Sequence, residues 1–306
     1  MANQRDILRR MQSVKATMQI TRTMEMVSTA KIRTALERAE EAEPYKNAIA
    51  HMLAHVSSSA SMGDQPLLQT HDAEKSVLFV IIASDRGLAG GFNVTLCRSV
   101  FGQITALEQQ GVKVSVICCG RKVVEFFKSR GYTPDLYFEG MSSEPTMDEA
   151  DRIASYVMDG YVAESFDRVV ISYHHAIGRV EQVEVHEQLL PVTTDDLRLP
   201  NSPRQGEEGT FQIGRVQDTM YRFDPSAKEV LGYLIPAYVR TVVYHALLDS
   251  AASEHAARRQ AMQSATDNAQ EVITNLSRTY NRVRQGSITT ELNEIIGGAS
   301  ALEEDQ

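Results

Sequence analysis

The sequence predicts an α/β protein: a long antiparallel coiled coil of N- and C-terminal helices plus a central α/β domain. Two observations carry this. Near the N-terminus Ile7, Met11, Val14, Met18, Thr21, Glu25, Ser28, Ile32, Ala35, Ala39, Ala42, Lys46, Ile49, Leu53 and Val56 step by four and three without a break, and near the C-terminus Met262, Ala265, Ala269, Val272 and Leu276 do the same. A 3.5-residue period is the mark of helices that supercoil about each other, and one chain with such a helix at each end can fold back on itself. Between them, apolar strand-like runs alternate with amphipathic segments, the pattern of an α/β layer structure.

Residues 3–58 read as one helix, roughly 80 Å long at ~1.5 Å per residue. From Ile20 its strongest apolar residues, Ile20, Met24 and Val27, move one position off the register, so a second surface faces something there. Pro44 is expected to bend the helix, and Ser57–Ser59 with Gly63–Pro66 to end it. The apolar run 76–83 reads as a buried strand of parallel type. The Gly-rich turn Ser84–Asn93 leads into a helix running to about Gln110. A strand at 112–118, a helix at 121–129, a short strand at 133–138, an acidic helix at 146–164 and strands at 168–174 and 181–190 follow. Residues 191–220, rich in Pro and Gly, read as loop. The last helix begins near Asp224–Ser226, bends at Pro236, and stops at Gly297-Gly298 before a short acidic tail. The domain plan is a helix at 1–60, an α/β domain at 75–195, a loop at 196–221, a helix at 222–298 and a tail at 299–306.

Composition narrows the class. No apolar run approaches the ~18 residues of a bilayer span, so no crossing of a membrane is expected. Cys97, Cys118 and Cys119 form no C-x-x-C and no disulfide framework, which suits a reducing interior. The net charge of −9 is uneven: residues 1–35 carry seven basic and two acidic side chains, and the rest sums to −14. A basic helix face either is merely solvated or meets acidic partner surfaces. Nucleic acid is a poor partner for so acidic a chain.

The candidate chemical motifs favour structural readings. Gly87-x-x-Gly90-Gly91 follows a strand and opens a helix, where phosphates bind. It is neither G-x-G-x-x-G nor a P-loop, so a tight turn is expected, with Asp85 in a capping role. His51 and His55 have metal-ligand spacing without a third ligand. His174 and His175, like Cys118 and Cys119, are strand neighbours that must face apart. No nucleophile–base set can be assembled, and neither cofactor nor metal is expected.

Four stretches, in order, carry a resemblance: Ile20–Lys31 (ITRTMEMVSTAK), Ser84–Asn93 (SDRGLAGGFN), Ser253–Arg258 (SEHAAR) and Arg284–Gly298. The chain resembles, over nearly its whole length, the gamma subunit of the F-type ATP synthase. The resemblance implies that the terminal helices form the coiled coil inside a ring of alpha and beta subunits. It implies that the middle is a Rossmann-like domain meeting the membrane c-ring and the epsilon subunit, one copy per complex, at the cytoplasmic face of the cell membrane. The chain would then be a non-catalytic rotor that couples ion flow to ATP synthesis or hydrolysis. By the same resemblance, Arg284 and Gln285 match residues that touch an acidic catch loop of a beta subunit, with Arg258 and Thr289 nearby and Met24 as an apolar position close to that contact. Gly286 departs from the pattern, at a cost of about 1 kcal/mol relative to Ala in a helix. Two other readings compete: a nucleotide-dependent enzyme using the 76–190 block, and a coiled-coil scaffold or nucleic-acid adaptor.

Overall fold

The computed structural model describes residues 4–59, 65–71, 73–178, 181–193, 224 and 226–304. Helix α1 is Gln4–Ser59 and α5 is Ala227–Glu304. Between them lie β1 (Ser76–Ile82), α2 (Phe92–Gln109), β2 (Lys113–Cys119), α3 (Arg121–Lys128), β3 (Leu136–Phe138), α4 (Met147–Val162), β4 (Arg168–Ala176) and β5 (Gln182–Leu190). A short 3-10 turn, Pro66–Leu68, precedes β1. The 191–220 loop expectation falls almost wholly outside the described residues.

The chain divides into two compact units. One comprises residues 1–29 and 258–306, the other Ala30–Ala257. The division cuts both long helices, where the expected plan kept each whole.

In the larger unit the sheet order is β3-β2-β1-β4-β5. β1 pairs in parallel with β2 and β4, β2 in parallel with β3, and β4 antiparallel with β5. The short 177–181 connection explains the reversal of β5, since a parallel return needs a long crossover. β1 is buried almost throughout because helices cover both faces. Leu78, Val80 and Ile82 meet α4, the end of α1 (Ile49, Leu53, Val56) and the start of α5 (Leu231, Ile235, Val239, Val243). Val77, Phe79 and Ile81 meet α2 and α3 through Leu96, Val100, Ile104, Val123 and Phe127. Cys118 and Cys119 fall on opposite faces, as strand alternation requires.

One expectation needs correction. Gly297-Gly298 does not stop the last helix, which runs on to Glu304. Glycine ends a helix only by turning left-handed; otherwise it costs about 1 kcal/mol per residue, and the helix formers Ala299, Ala301 and Leu302 follow. Pro44 and Pro236 both lie inside continuous helix. Pro44 is exposed, so water can take up the carbonyl that loses its partner. One 18-residue window of α5 reaches bilayer-spanning hydropathy, with a mean of 1.2. Half of that window is buried inside the protein. The apolar residues of the first part of α5 belong to the sheet core.

Candidate functional site

The smaller unit is a two-helix pair. Gln4 Nε2 donates to Tyr280 Oη at 3.0 Å, and the Thr21 and Thr266 hydroxyls lie 2.8 Å apart. As one residue number rises the other falls by a similar amount, so the helices run antiparallel. All fifteen heptad positions of α1 are buried or half-buried. The α5 register differs from the expected one. Val272 is 39% exposed, while Met262, Thr266, Ala269, Ile273, Leu276, Tyr280 and Val283 form the covered series, still stepping by four and three. From Arg284 to Ile296 every side chain is exposed.

The sides of the pair are unequal. Ile20, Met26 and Val27 of α1 are exposed, as are Ile288, Leu292, Ile295 and Ile296 of α5. Elsewhere a groove of about 420 Å³ is lined by Leu8, Met11, Met18 and Ile273, with Lys15 among its polar neighbours.

The expected contact residues do not form one patch. Arg284, Gln285 and Thr289 are exposed together on α5, and Thr289 Oγ1 donates back to Gln285 O at 2.9 Å. Arg258 is 8% exposed. It lies 26 residues earlier on the same helix, roughly 40 Å away at ~1.5 Å per residue. Met24 is half-buried one turn after Thr21, so the Thr21–Thr266 contact puts it beside the 262–266 stretch rather than beside Arg284. The expected nearness of Met24 and Arg258 to Arg284 is therefore corrected: the helix offset separates them.

In the larger unit the Gly-rich turn is a structural joint. Leu88 and Gly90 are left-handed, at φ 64° and 61°. Asn93 Oδ1 accepts from Ser84 N and Ser84 Oγ, both at 2.9 Å. Asp85 ties three segments: Oδ1 accepts from Arg121 N, Oδ2 from Ser142 N, and its own N–H donates to Ser142 Oγ, each at 3.0 Å. Burial pushes the Asp85 carboxyl up, but these hydrogen bonds together with one from Gly140 outweigh it and hold the group below its usual range. Gly120, at φ 105°, passes so close to Ala83 that a Cβ would lie 2.4 Å from its carbonyl oxygen.

Ligands of open α/β sheets bind beyond the carboxyl ends of the strands where the order reverses, here β1 and β4. That position is taken by α5 itself. Ser250 Oγ donates to Ile82 O at 3.4 Å, and Ser253 Oγ donates to His174 O at 3.0 Å. Asp249 Oδ1 accepts from Ala176 N at 3.2 Å, and Oδ2 is hydrogen-bonded to His175 Nδ1. His174, on the other side of the strand, is buried and stacks on Phe92 with ring centroids 4.3 Å apart. Burial makes all three thiols poor nucleophiles, raising Cys97 and Cys118 to about 12 and Cys119 well above its ordinary value. Among the described residues no cluster of three or more metal-binding side chains occurs. Sequence reasoning missed the 249–253 anchors; the clue was four polar residues (Asp249, Ser250, Ser253, Glu254) among alanines on a core helix.

An α/β domain with its strand-end crevice taken up by its own terminal helix, and an antiparallel helix pair, define the class of fold. The ATP synthase family model matches residues 3–302. An ATP synthase gamma chain of Heliobacterium modesticaldum is 38% identical over 302 residues, covering 99% of this chain and all of the relative. One from Nitrosospira multiformis is 36% identical over the same share of both. A chain of the Euglena gracilis mitochondrial ATP synthase has the same fold, with a TM-score of 0.62 at 19% identity, over 98% of this chain and 94% of that one. A chain of the Tetrahymena thermophila enzyme's central stalk and c-ring assembly gives 0.56 at 24% identity, over 80% and 99%. The chain belongs to the ATP synthase gamma-chain family. It is a central-stalk rotor subunit of the membrane-associated ATP synthase complex and has no catalytic site of its own.

Proposed function

We propose that the helix pair turns inside a hexamer of alternating alpha and beta subunits, one copy per hexamer. In this reading the α/β domain meets the c-ring and the epsilon subunit at the cytoplasmic face of the cell membrane. The observation that carries the reading is the unequal surface of the pair. A subunit can bias a partner between two states only if its contact free energy differs between them. A shaft alike on all sides could not do this. Here one stretch offers Ile20, Met26 and Val27 to a partner. A remote one offers Arg284, Gln285 and Thr289, all exposed. Charge-assisted hydrogen bonds from Arg284 to an acidic loop would each contribute ~1.5–3 kcal/mol, present at some rotor angles and absent at others.

Two zones follow from the helix offset, one around Met24 and one around Arg284. Met24→Lys adds a charge to the apolar zone and is expected to lower ion transport per ATP hydrolysed while leaving hydrolysis itself running. Arg284→Ala is expected to slow hydrolysis as well. Co-purification with alpha and beta subunits at one copy per hexamer, followed by both assays in vesicles, checks the reading. An unchanged transport-to-hydrolysis ratio in Met24→Lys, or failure of the parent chain to join the hexamer, would sink it.

A further inference from the structure

Asp249, Ser250 and Ser253 are 3%, 3% and 0% exposed on a helix that packs into the core of the larger unit. Burying polar groups is unfavourable unless each finds a partner. Each does, and apart from the His175 ring the partners are backbone atoms at the carboxyl ends of β1 and β4, the two central strands. Leu247 and Leu248 are buried beside them, and His245, Glu254 and His255 make contacts of their own, but much of the stretch is small. Ala246, Ala251, Ala252 and Ala256 are buried alanines, and Ala252 packs against Ala35 and Ala176. Alanine faces let backbones approach closely but offer no side-chain knobs to resist sliding. A hydrogen bond does resist, because it weakens steeply once its angle falls below ~120°. Turning α5 about its axis, or sliding it by one ~1.5 Å rise, would break these bonds together.

Stability alone does not call for such an arrangement. A buried ion pair or polar cluster replaced by apolar groups of similar volume is often neutral or more stable. What directional bonds add is a single permitted azimuth. A rotor needs that: any slip between the sheet and α5, which continues into the helix pair, would absorb part of each rotary step.

We propose that Asp249, Ser250 and Ser253 form an anti-slip joint that locks α5 to the sheet at one rotational setting, and that they act as positioning residues for energy coupling. The joint rests on the rotor role of the family, not on the proposed contacts with the hexamer.

The test uses the whole ATP synthase carrying this chain, in vesicles and with a bead on the stalled rotor. The triple variant Asp249→Asn, Ser250→Ala, Ser253→Ala keeps size and apolar packing nearly constant. In assembled complexes hydrolysis is expected within about twofold of the parent, while ion transport per ATP falls about threefold or more and the angular spread of the bead widens. A merely structural role would lower the melting temperature and the yield of complex but leave both the ratio and the spread unchanged in what assembles; that result overturns the joint. If the triple variant fails to assemble, Ser250→Ala with Ser253→Ala removes two bonds and spares the carboxylate. A bead spread equal to the parent's in that pair overturns it equally. A parent chain that gives no rotation at all would instead count against the contacts with the hexamer.

Discussion

His174 shows how a single residue can set the acid limit of the larger unit. It is 3% exposed, stacks on Phe92, and its Nδ1 has no hydrogen-bond partner among the described residues. Burial lowers its pKa from 6.5 to about 4, with Glu184 pulling the other way and His186 adding to the fall. Glu184 is its register partner on β5. His186, itself lowered by burial, shares its ring nitrogens with Ser99 and Ser172. The folded chain therefore takes up a proton at His174 later than the unfolded chain does. This group costs nothing above pH 6.5, and stability drains away as pH falls from 6.5 towards 4. At pH 5 the loss is about 2 kcal/mol. Asp85, also lowered, withdraws its contribution only below the ordinary carboxylate range. His174→Phe keeps a ring on Phe92 and removes the proton site. Urea unfolding at pH 7 and pH 5 is expected to show a smaller acid loss in the variant by that amount. An equal loss in both proteins would place the acid sensitivity elsewhere.

At the scale of elements, the helix pair tests how register is set. Ile273 faces inward and Val272 outward, so Ile273→Ala is expected to cost ~1–2 kcal/mol more than Val272→Ala. Hydrogen exchange of the 258–283 amides reads the difference, and the reverse order would restore the register expected from sequence. That expectation erred for a physical reason. Ala265 and Val272 are the apolar choices, but the true series runs through Thr266, whose hydroxyl meets Thr21 across the seam. A polar pair inside an apolar seam leaves no hydrophobic signal. In α1 all fifteen heptad positions are covered, although Ile49, Leu53 and Val56 pack in the sheet core rather than in the two-helix seam. β1 was equally legible, because its short, unbroken apolar run suits a strand buried on both faces and little else. The contact residues were legible one by one but not in their grouping, since the Thr21–Thr266 and Gln4–Tyr280 offset depends on contacts between distant segments. The Asp249–Ser253 anchors were hidden for the same reason: apart from the His175 ring, their partners are main-chain atoms of strands, which carry no sequence signature.

For the whole chain, charge is segregated more sharply than the N-terminal balance alone suggests. Residues 1–29 and 258–290 carry ten basic and four acidic side chains, whereas 291–306 carries five acidic and no basic ones. The larger unit, Ala30–Ala257, has 21 basic against 31 acidic. If the ring opening of the proposed assembly is acidic, residues 1–29 and 258–290 would be drawn to it, and the larger unit and residues 291–306 repelled. Fields of this kind act on encounter rates and are screened beyond ~8 Å at physiological salt. Apolar contacts made by Ile288, Leu292, Ile295 and Ile296 after entry are not screened. Raising salt from about 0.05 to 0.5 M is therefore expected to slow association with a chain-free alpha–beta hexamer about tenfold while leaving dissociation nearly unchanged. Stopped-flow mixing with a fluorophore on the larger unit measures both rates. A salt-independent association rate would mean that the exposed apolar residues, not the basic pair, govern entry. Leu292→Gln would then slow association where neutralising Arg9 and Arg10 would not.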